Sequence, residues 1–142
     1  MDADIKGFFD HIDHEWMIKF LEHDIADKNF IRYIKRFLIG GVMEDGKRLE
    51  TESGTVQGGL ISPVLANVYL HYTLDTWFEY VKKHEFKGEM YMVRYADDFV
   101  CLFQYENEAQ RFYQLLTERL KKFGLEIAED KNIRTQIKVR NV

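Results

Sequence analysis

The sequence predicts an α+β fold, with helices packed on one face of an antiparallel sheet. Apolar residues recur at helical spacing in several segments, and shorter apolar runs rich in aromatic and branched residues separate them. The predicted order is strand, helices, small hairpin, helix, hairpin, helix, strand. Of the 142 residues, 46% are apolar, which is enough for one compact domain over residues 1–142.

The first elements are a short strand and two helices. The strand lies within residues 2–10, and Gly7 interrupts it. Asp13 is a suitable N-cap for the first helix, with Asp24 and Asp27 near its end. Gly40-Gly41 ends the second helix, whose apolar residues at helical spacing are Ile31, Ile34, Phe37 and Leu38.

The next elements are a small hairpin and a long helix. Asp45-Gly46 is a strong turn dipeptide and predicts a hairpin over residues 42–49. Ser62 then suits the N-cap and Pro63 the first position of a largely buried helix that reaches Val81.

The last elements are a second hairpin, a helix and closing strands. The hairpin covers residues 90–103, and the acidic pair Asp97-Asp98 falls at its turn. A helix follows, with Gly124 at its C-terminal end, and residues 125–127 and 133–139 have the pattern of closing strands.

Composition excludes several classes of protein. A formal net charge of −4 argues against a simple nucleic-acid-binding module. The single cysteine, Cys101, lies in an apolar strand pattern, so neither a disulfide framework nor a structural zinc site is expected. No apolar stretch is long enough for a membrane span, and the N-terminus is not signal-like. We expect a soluble protein of a reducing compartment with no membrane partner.

The carboxylates at the second hairpin are candidates for metal binding. Asp97 and Asp98 at a hairpin tip would suit a hard divalent cation such as Mg²⁺, although Asp is also a common turn residue. Asp4 on the first strand could join them, and the three could then hold two Mg²⁺ ions. Adjacent strand residues point to opposite faces, so Asp97 and Asp98 would not be equivalent. Asp2 shares a strand face with Asp4 and is a rival candidate.

A glycine-containing segment precedes the long helix. Gly58 and Gly59 lack a Cβ, so a planar or phosphate-bearing ligand could approach their backbone closely. The Gln57 amide could then bind a nucleotide's sugar or phosphate, although such a segment is also common in plain loops.

Four motifs in order resemble those of a known family. They are Asp4-Ile5-Lys6-Gly7-Phe8-Phe9-Asp10, Gln57-Gly58-Gly59-Leu60-Ile61-Ser62-Pro63, Arg94-Tyr95-Ala96-Asp97-Asp98-Phe99, and Phe123-Gly124-Leu125 with Lys131. Together they resemble the reverse transcriptase palm, a ferredoxin-like α+β fold, in its group II intron-encoded (maturase) branch. The resemblance covers nearly the whole chain.

The resemblance implies an RNA-directed DNA polymerase with two Mg²⁺ ions, for which Mn²⁺ could substitute. Asp4, Asp97 and Asp98 would be the catalytic carboxylates and metal ligands, and the Ile5 carbonyl would be a further ligand. Phe9 would lie beneath the incoming sugar and exclude a 2′-hydroxyl. The remaining implied roles are nucleotide contact by Gln57 and Gly58, and protonation of the pyrophosphate leaving group by Lys131.

The implied partners are an RNA template, a DNA primer, deoxynucleoside triphosphates and intron RNA, in a bacterial cytoplasmic ribonucleoprotein. Val56 departs from the family's usual proline. No segment resembles the fingers or the thumb, so we expect weak Mg²⁺ binding, little primer extension by this chain alone, and self-association through uncovered surfaces. Two alternatives stay open: a non-catalytic scaffold for intron splicing, and a CRISPR-associated or retron reverse transcriptase.

Overall fold

The computed structural model describes residues 1–39, 43–44, 47–48 and 61–128. Five helices and five strands are assigned within these ranges, along with a 3₁₀ turn and a π-helical segment. In chain order they are β1 (Asp2–Ala3), the 3₁₀ turn (Phe8–Asp10), α1 (His14–Asp24), α2 (Lys28–Ile39), β2 (Met43–Glu44), β3 (Lys47–Arg48), α3 (Ser62–Leu70), the π-helical segment (His71–Asp75), α4 (Thr76–His84), β4 (Met90–Tyr95), β5 (Asp98–Phe103) and α5 (Glu106–Lys122).

The central sheet joins the N-terminal strand to the second hairpin. Its strand order is β1-β5-β4, and both pairings are antiparallel. Ala3 lies opposite Phe99 in the pairing of β1 with β5. On the other side of this N-terminal segment, Ile5 forms an antiparallel bridge with Ile127. The predicted closing strand at residues 125–127 is therefore present as a single bridge.

The two faces of the sheet have different environments. Ala3, Phe99 and Cys101 are buried on one face, where they join the hydrophobic core formed with the helices. The other face is exposed, and its apolar side chains are Tyr91, Val93, Tyr95, Val100 and Leu102. An antiparallel sheet with helices on one face is the predicted α+β architecture, which is confirmed.

Aspartate side chains begin both α1 and α2. Asp13 accepts a hydrogen bond from the Trp16 amide at 2.8 Å, so the predicted N-cap is confirmed. Asp27 accepts bonds from the amides of Asn29 and Phe30 and belongs to the start of α2 rather than to the end of α1.

Only part of the apolar pattern in α2 is buried. Ile31, Ile34 and Leu38 join the core, whereas Phe37 is 61% exposed. Helical spacing grouped Phe37 with the three buried residues, but it could not show that the Phe37 side chain lies at the exposed margin of that group.

The predicted long helix contains a π-helical segment. α3 and α4 are joined by His71–Asp75 without a break in the helical rod. Within it, the Thr73 hydroxyl donates to the Tyr69 carbonyl at 2.9 Å. Ser62 is the first helical residue and Ile61 the N-cap, so the start lies one residue earlier than predicted.

The end of α5 confirms the role predicted for Gly124. This glycine has φ +73°, a left-handed conformation that favours a residue without a Cβ. Its amide donates to Lys121, and the Leu125 amide donates to Leu120 at 3.0 Å. These bonds satisfy carbonyls of the last helical turn.

The small hairpin is confirmed by the antiparallel pairing of β2 with β3. Its turn Asp45-Gly46, the helix stop Gly40-Gly41 and the predicted strand at 133–139 lie outside the described residues. Within the ranges that are described, no helix has the length and apolar character to cross a membrane.

Candidate active site

The acidic pair lies at a tight turn between β4 and β5. Tyr95 pairs with Asp98, so Ala96 and Asp97 form a two-residue connection. Asp97 belongs to the turn and is half-buried, whereas Asp98 opens β5 and is exposed. The two carboxylates therefore occupy different positions, as expected.

Ala96 has an unusual backbone conformation. Its φ of 54° is the only positive value at a non-glycine residue in the described parts of the chain. An alanine in this region costs on the order of 1–2 kcal/mol, since its Cβ crowds the backbone. Such strain persists only where surrounding contacts hold it, and it is common at functional turns.

The register of β1 with β5 leads toward Asp4 and Asp98. Asp2 pairs with Val100 and Ala3 with Phe99, so the same register continued by one residue on each strand would bring Asp4 opposite Asp98. Met1 and Cys101 exchange hydrogen bonds through their main-chain nitrogen and oxygen atoms, both at 2.8 Å. Hydrogen-bonded and non-hydrogen-bonded pairs alternate along an antiparallel ladder. A pair of Asp4 with Asp98 would therefore be non-hydrogen-bonded, the kind in which opposite side chains are closest. The register thus favours Asp4 over its rival Asp2.

The bridge between Ile5 and Ile127 indicates which way the backbone groups of Ile5 face. The Lys6 amide donates to Glu126, and the Ala128 amide donates to the Asp4 carbonyl. These two bonds enclose the Ile5–Ile127 bridge, so the polar backbone groups of Ile5 itself face the opposite edge. That edge is the one on which β5 pairs with β1.

The donor chemistry at this edge suits a divalent cation. Asp4, Asp97, Asp98 and the Ile5 carbonyl offer hard oxygen ligands, which Mg²⁺ and Mn²⁺ prefer. Within the part of the chain that is described, no three Asp, Glu, His or Cys side chains are already grouped closely enough to hold a metal ion. The residues fit such an ion in type and strand position, and their side chains would have to move to converge on it.

Arg94 connects the turn to the helical layer. Its guanidinium donates to both oxygens of Asp75 at 2.7 and 2.6 Å, and also to the Ala96 carbonyl at 2.8 Å. A fourth bond reaches Asn67 on α3 at 2.9 Å. Asp75 ends the π-helical segment, so one side chain ties the strained turn to the long helix. This bidentate ion pair is a strong, directional contact.

Sequence reasoning treated Arg94 only as part of a motif and missed this contact. Alternation along β4 gives the signal that could have found it. Met90, Met92 and Arg94 share the helix-facing side of the strand, and a charge on that side requires a partner. The partner itself could not be predicted, because Asp75 lies nineteen residues away on a helix.

The structure describes only some of the other predicted site residues. Phe8 is buried in the core, whereas Phe9 is half-buried with its ring centroid 5.7 Å from that of Phe8. Phe8 therefore fills the core, and Phe9 packs against it from a more exposed position. Gln57, Gly58 and Lys131 lie outside the described residues.

A cleft opens on the helical side of Arg94. It has a volume of about 560 Å³, and its walls include Phe20, Asp24, Tyr72, Asp75 and Arg94. The Tyr72 hydroxyl donates to Asp24 and holds the pKa of that carboxyl below its usual range. Neither Asp97 nor Asp98 lines the cleft, so it is separate from the carboxylate turn.

Comparison with known families identifies the class of this protein. The family model described as "Reverse transcriptase (RNA-dependent DNA polymerase)" matches residues 1–140. The chain therefore belongs to the reverse transcriptase family.

Similar proteins indicate the branch of that family. The chain is 45% identical over 71 residues to the group II intron-encoded protein LtrA of Lactococcus lactis subsp. cremoris, a match that covers 50% of this chain and 12% of that protein. It is 38% identical over 89 residues to an uncharacterized 91 kDa protein in the cob intron of Schizosaccharomyces pombe, covering 62% of this chain and 11% of that protein. The predicted resemblance to group II intron-encoded reverse transcriptases is confirmed.

The fold has a counterpart among solved structures. A chain in the structure of telomerase from Candida albicans, in complex with a fragment of telomeric RNA, superposes with a TM-score of 0.71. The match covers 92% of this chain and 25% of that chain at 16% sequence identity. At this identity the likeness concerns the fold alone, and it agrees with a reverse transcriptase palm.

Proposed function

We propose that this chain carries the catalytic carboxylates of an RNA-directed DNA polymerase of the group II intron-encoded type. The observation that supports the proposal is the register of β1 with β5, which pairs Ala3 with Phe99, the residues that adjoin Asp4 and Asp98 in the sequence. Membership of the reverse transcriptase family supports it. The reaction would be attack of a primer 3′-hydroxyl on the α-phosphate of a deoxynucleotide, with release of pyrophosphate.

The carboxylates would act by holding divalent cations. Three carboxylates brought together at one edge would repel each other, and this repulsion would favour cation binding between them. Bound Mg²⁺, or Mn²⁺ in its place, would lower the pKa of the attacking hydroxyl and neutralise charge on the leaving group. Asp4 and Asp98 would hold the ions from neighbouring strands, Asp97 from the turn, and the Ile5 carbonyl from the sheet edge. Arg94 would keep the turn in place through the Ala96 carbonyl.

Other residues would contact the nucleotide. Phe9 follows β1 in the 3₁₀ turn, and its ring would lie under the sugar and clash with a 2′-hydroxyl. That clash would select deoxynucleotides over ribonucleotides. Gln57 and Gly58 would contact the nucleotide, and Lys131 would protonate the pyrophosphate. An RNA template, a DNA primer and intron RNA would be the macromolecular partners.

A primer-extension assay tests this proposal. The protein is placed in excess over a DNA primer annealed to an RNA template, with deoxynucleotides and either Mg²⁺ or Mn²⁺. We expect weak, cation-dependent addition that falls at least about 100-fold in Asp97→Asn, since removing a group that stabilises transition-state charge commonly costs that much. Asp2→Asn is the matched control and should retain wild-type addition, because Asp2 faces Val100 rather than the turn.

The outcomes separate polymerase activity from a scaffold role. Addition that persists in Asp97→Asn would contradict the proposed site. RNA binding without any addition by the wild-type chain would instead favour the non-catalytic scaffold that supports intron splicing.

A further inference from the structure

The exposed side of α2 is strongly basic. Its twelve residues contain four cationic side chains and no Asp or Glu, although the whole chain has a net charge of −4. The cationic residues are Lys28, Arg32, Lys35 and Arg36. A local cluster of this sign in an acidic protein favours contact with a polyanion.

Three large aromatic rings share this exposed side. Phe30, Tyr33 and Phe37 are 46%, 53% and 61% exposed. They lie at positions i, i+3 and i+7, which form one stripe along a helix. The buried positions of α2 are a different set, Ile31, Ile34 and Leu38.

The basic and aromatic groups are in contact with each other. The guanidinium carbons of Arg32 and Arg36 each lie 5.8 Å from the centroid of the Tyr33 ring. Two cations therefore flank a ring that is half exposed. We call the surface formed by Phe30, Arg32, Tyr33, Arg36 and Phe37 the aromatic-basic face.

We propose that the aromatic-basic face of α2 is a binding site for unpaired RNA, separate from the carboxylate turn. Exposed rings offer stacking surfaces to unpaired bases, and the arginines can bind the phosphates between them. α2 packs on α1, and α1 packs on α3, whereas the carboxylates lie directly after β1 and at the β4–β5 turn. The four cations of α2 outnumber the one carboxylate at its start, Asp27, and this excess of positive charge favours a polyanion over an ordinary protein partner. This binding does not depend on polymerase activity.

Fluorescence anisotropy with a labelled single-stranded oligouridylate tests the proposal, with an RNA duplex of equal length for comparison. The aromatic variant is Tyr33→Ala with Phe37→Ala, and the charge variant is Arg32→Gln with Arg36→Gln. The matched control is Tyr80→Ala with Lys83→Gln on α4, where Tyr80 is 59% exposed. All six positions are exposed, and thermal melting verifies that each variant stays folded.

We expect the wild-type chain to prefer the single strand to the duplex. The aromatic variant should weaken single-strand binding at least about fivefold, because each lost base stack removes a stabilising contact. The charge variant should lower the slope of log affinity against log salt by about 1.4, the value for two lost phosphate contacts. The α4 control should bind like the wild type.

Three results would overturn the proposal. The first is unchanged single-strand binding in both α2 variants, and the second is an equal loss in the α4 control. The third is a change confined to sedimentation, in which the aromatic variant dissociates an oligomer while RNA affinity stays the same. That last result would identify the aromatic-basic face as a contact between copies of the chain.

Discussion

At the scale of single residues, Arg94 stabilises the turn that carries Asp97, although it is not a candidate cation ligand. Its side chain is only 13% exposed, and that of Asp75 is 29% exposed. Removing one member of a partly buried ion pair lowers the stability of the fold, because the other charge is then left without its partner. Arg94 also donates to the carbonyl of strained Ala96, so loss of Asp75 should loosen the turn that presents Asp97.

Replacing Asp75 tests that contact. We expect Asp75→Ala to lower the free energy of unfolding in urea by about 2 kcal/mol. Glu85→Ala is the matched control, because the pair of Glu85 with Arg111 is 41% and 53% exposed and should contribute less than about 0.5 kcal/mol. Equal effects of the two substitutions would show that Arg94 does not depend on Asp75.

Cys101 offers a second test at the same scale. Burial raises the pKa of its thiol from 9.0 to about 12. Because the folded pKa lies above the unfolded one, the protonated thiol favours folding below about pH 9, and this contribution is lost as the pH rises toward 12.

Two measurements follow for Cys101. Iodoacetamide at pH 8 should label the folded chain far more slowly than the chain in urea, since the reactive thiolate is scarce and covered. The urea midpoint should also fall above pH 9. Labelling at the same rate in both conditions would mean that Cys101 is not buried.

At the scale of elements, local patterns predicted most of the helices and strands. Asp13 capped α1 and Gly124 ended α5 as predicted, since both roles depend on a few neighbouring residues. The π-helical segment at His71–Asp75 was not predicted, because one extra residue per turn leaves little trace in an apolar pattern. The exposure of Phe37 was missed for a similar reason, since spacing alone does not fix which side of α2 meets α1.

The candidate site was predictable to the extent that it depends on motifs. Asp97-Asp98 was expected at a turn, and the turn is there. The residues that lie near this turn in the fold but far from it in the sequence were harder to predict. The choice of Asp4 over Asp2 needed the strand register, and the contact of Arg94 with Asp75 needed the packing of a helix against the sheet.

At the scale of the whole molecule, the sheet brings together residues that are far apart in the sequence. β5 lies between β1 and β4, so the segment that carries Asp4 meets the hairpin that carries Asp97 and Asp98. The helices cover one face of this sheet and leave the other exposed, with the apolar side chains of Val93, Val100 and their neighbours uncovered. The chain spans 11–12% of the length of the two relatives described above.

We propose that Asp4, Asp97 and Asp98 form one divalent-cation site, and this is the central claim about the molecule. Titration of the chain with Mn²⁺, followed by the loss of the free-ion EPR signal, tests it most directly. We predict saturable binding by the wild type that weakens at least about tenfold in Asp4→Asn, Asp97→Asn or Asp98→Asn, since each removes a charged ligand. Asp2→Asn should bind as the wild type does. Binding that survives the first three substitutions, or that is lost equally in Asp2→Asn, would contradict the claim.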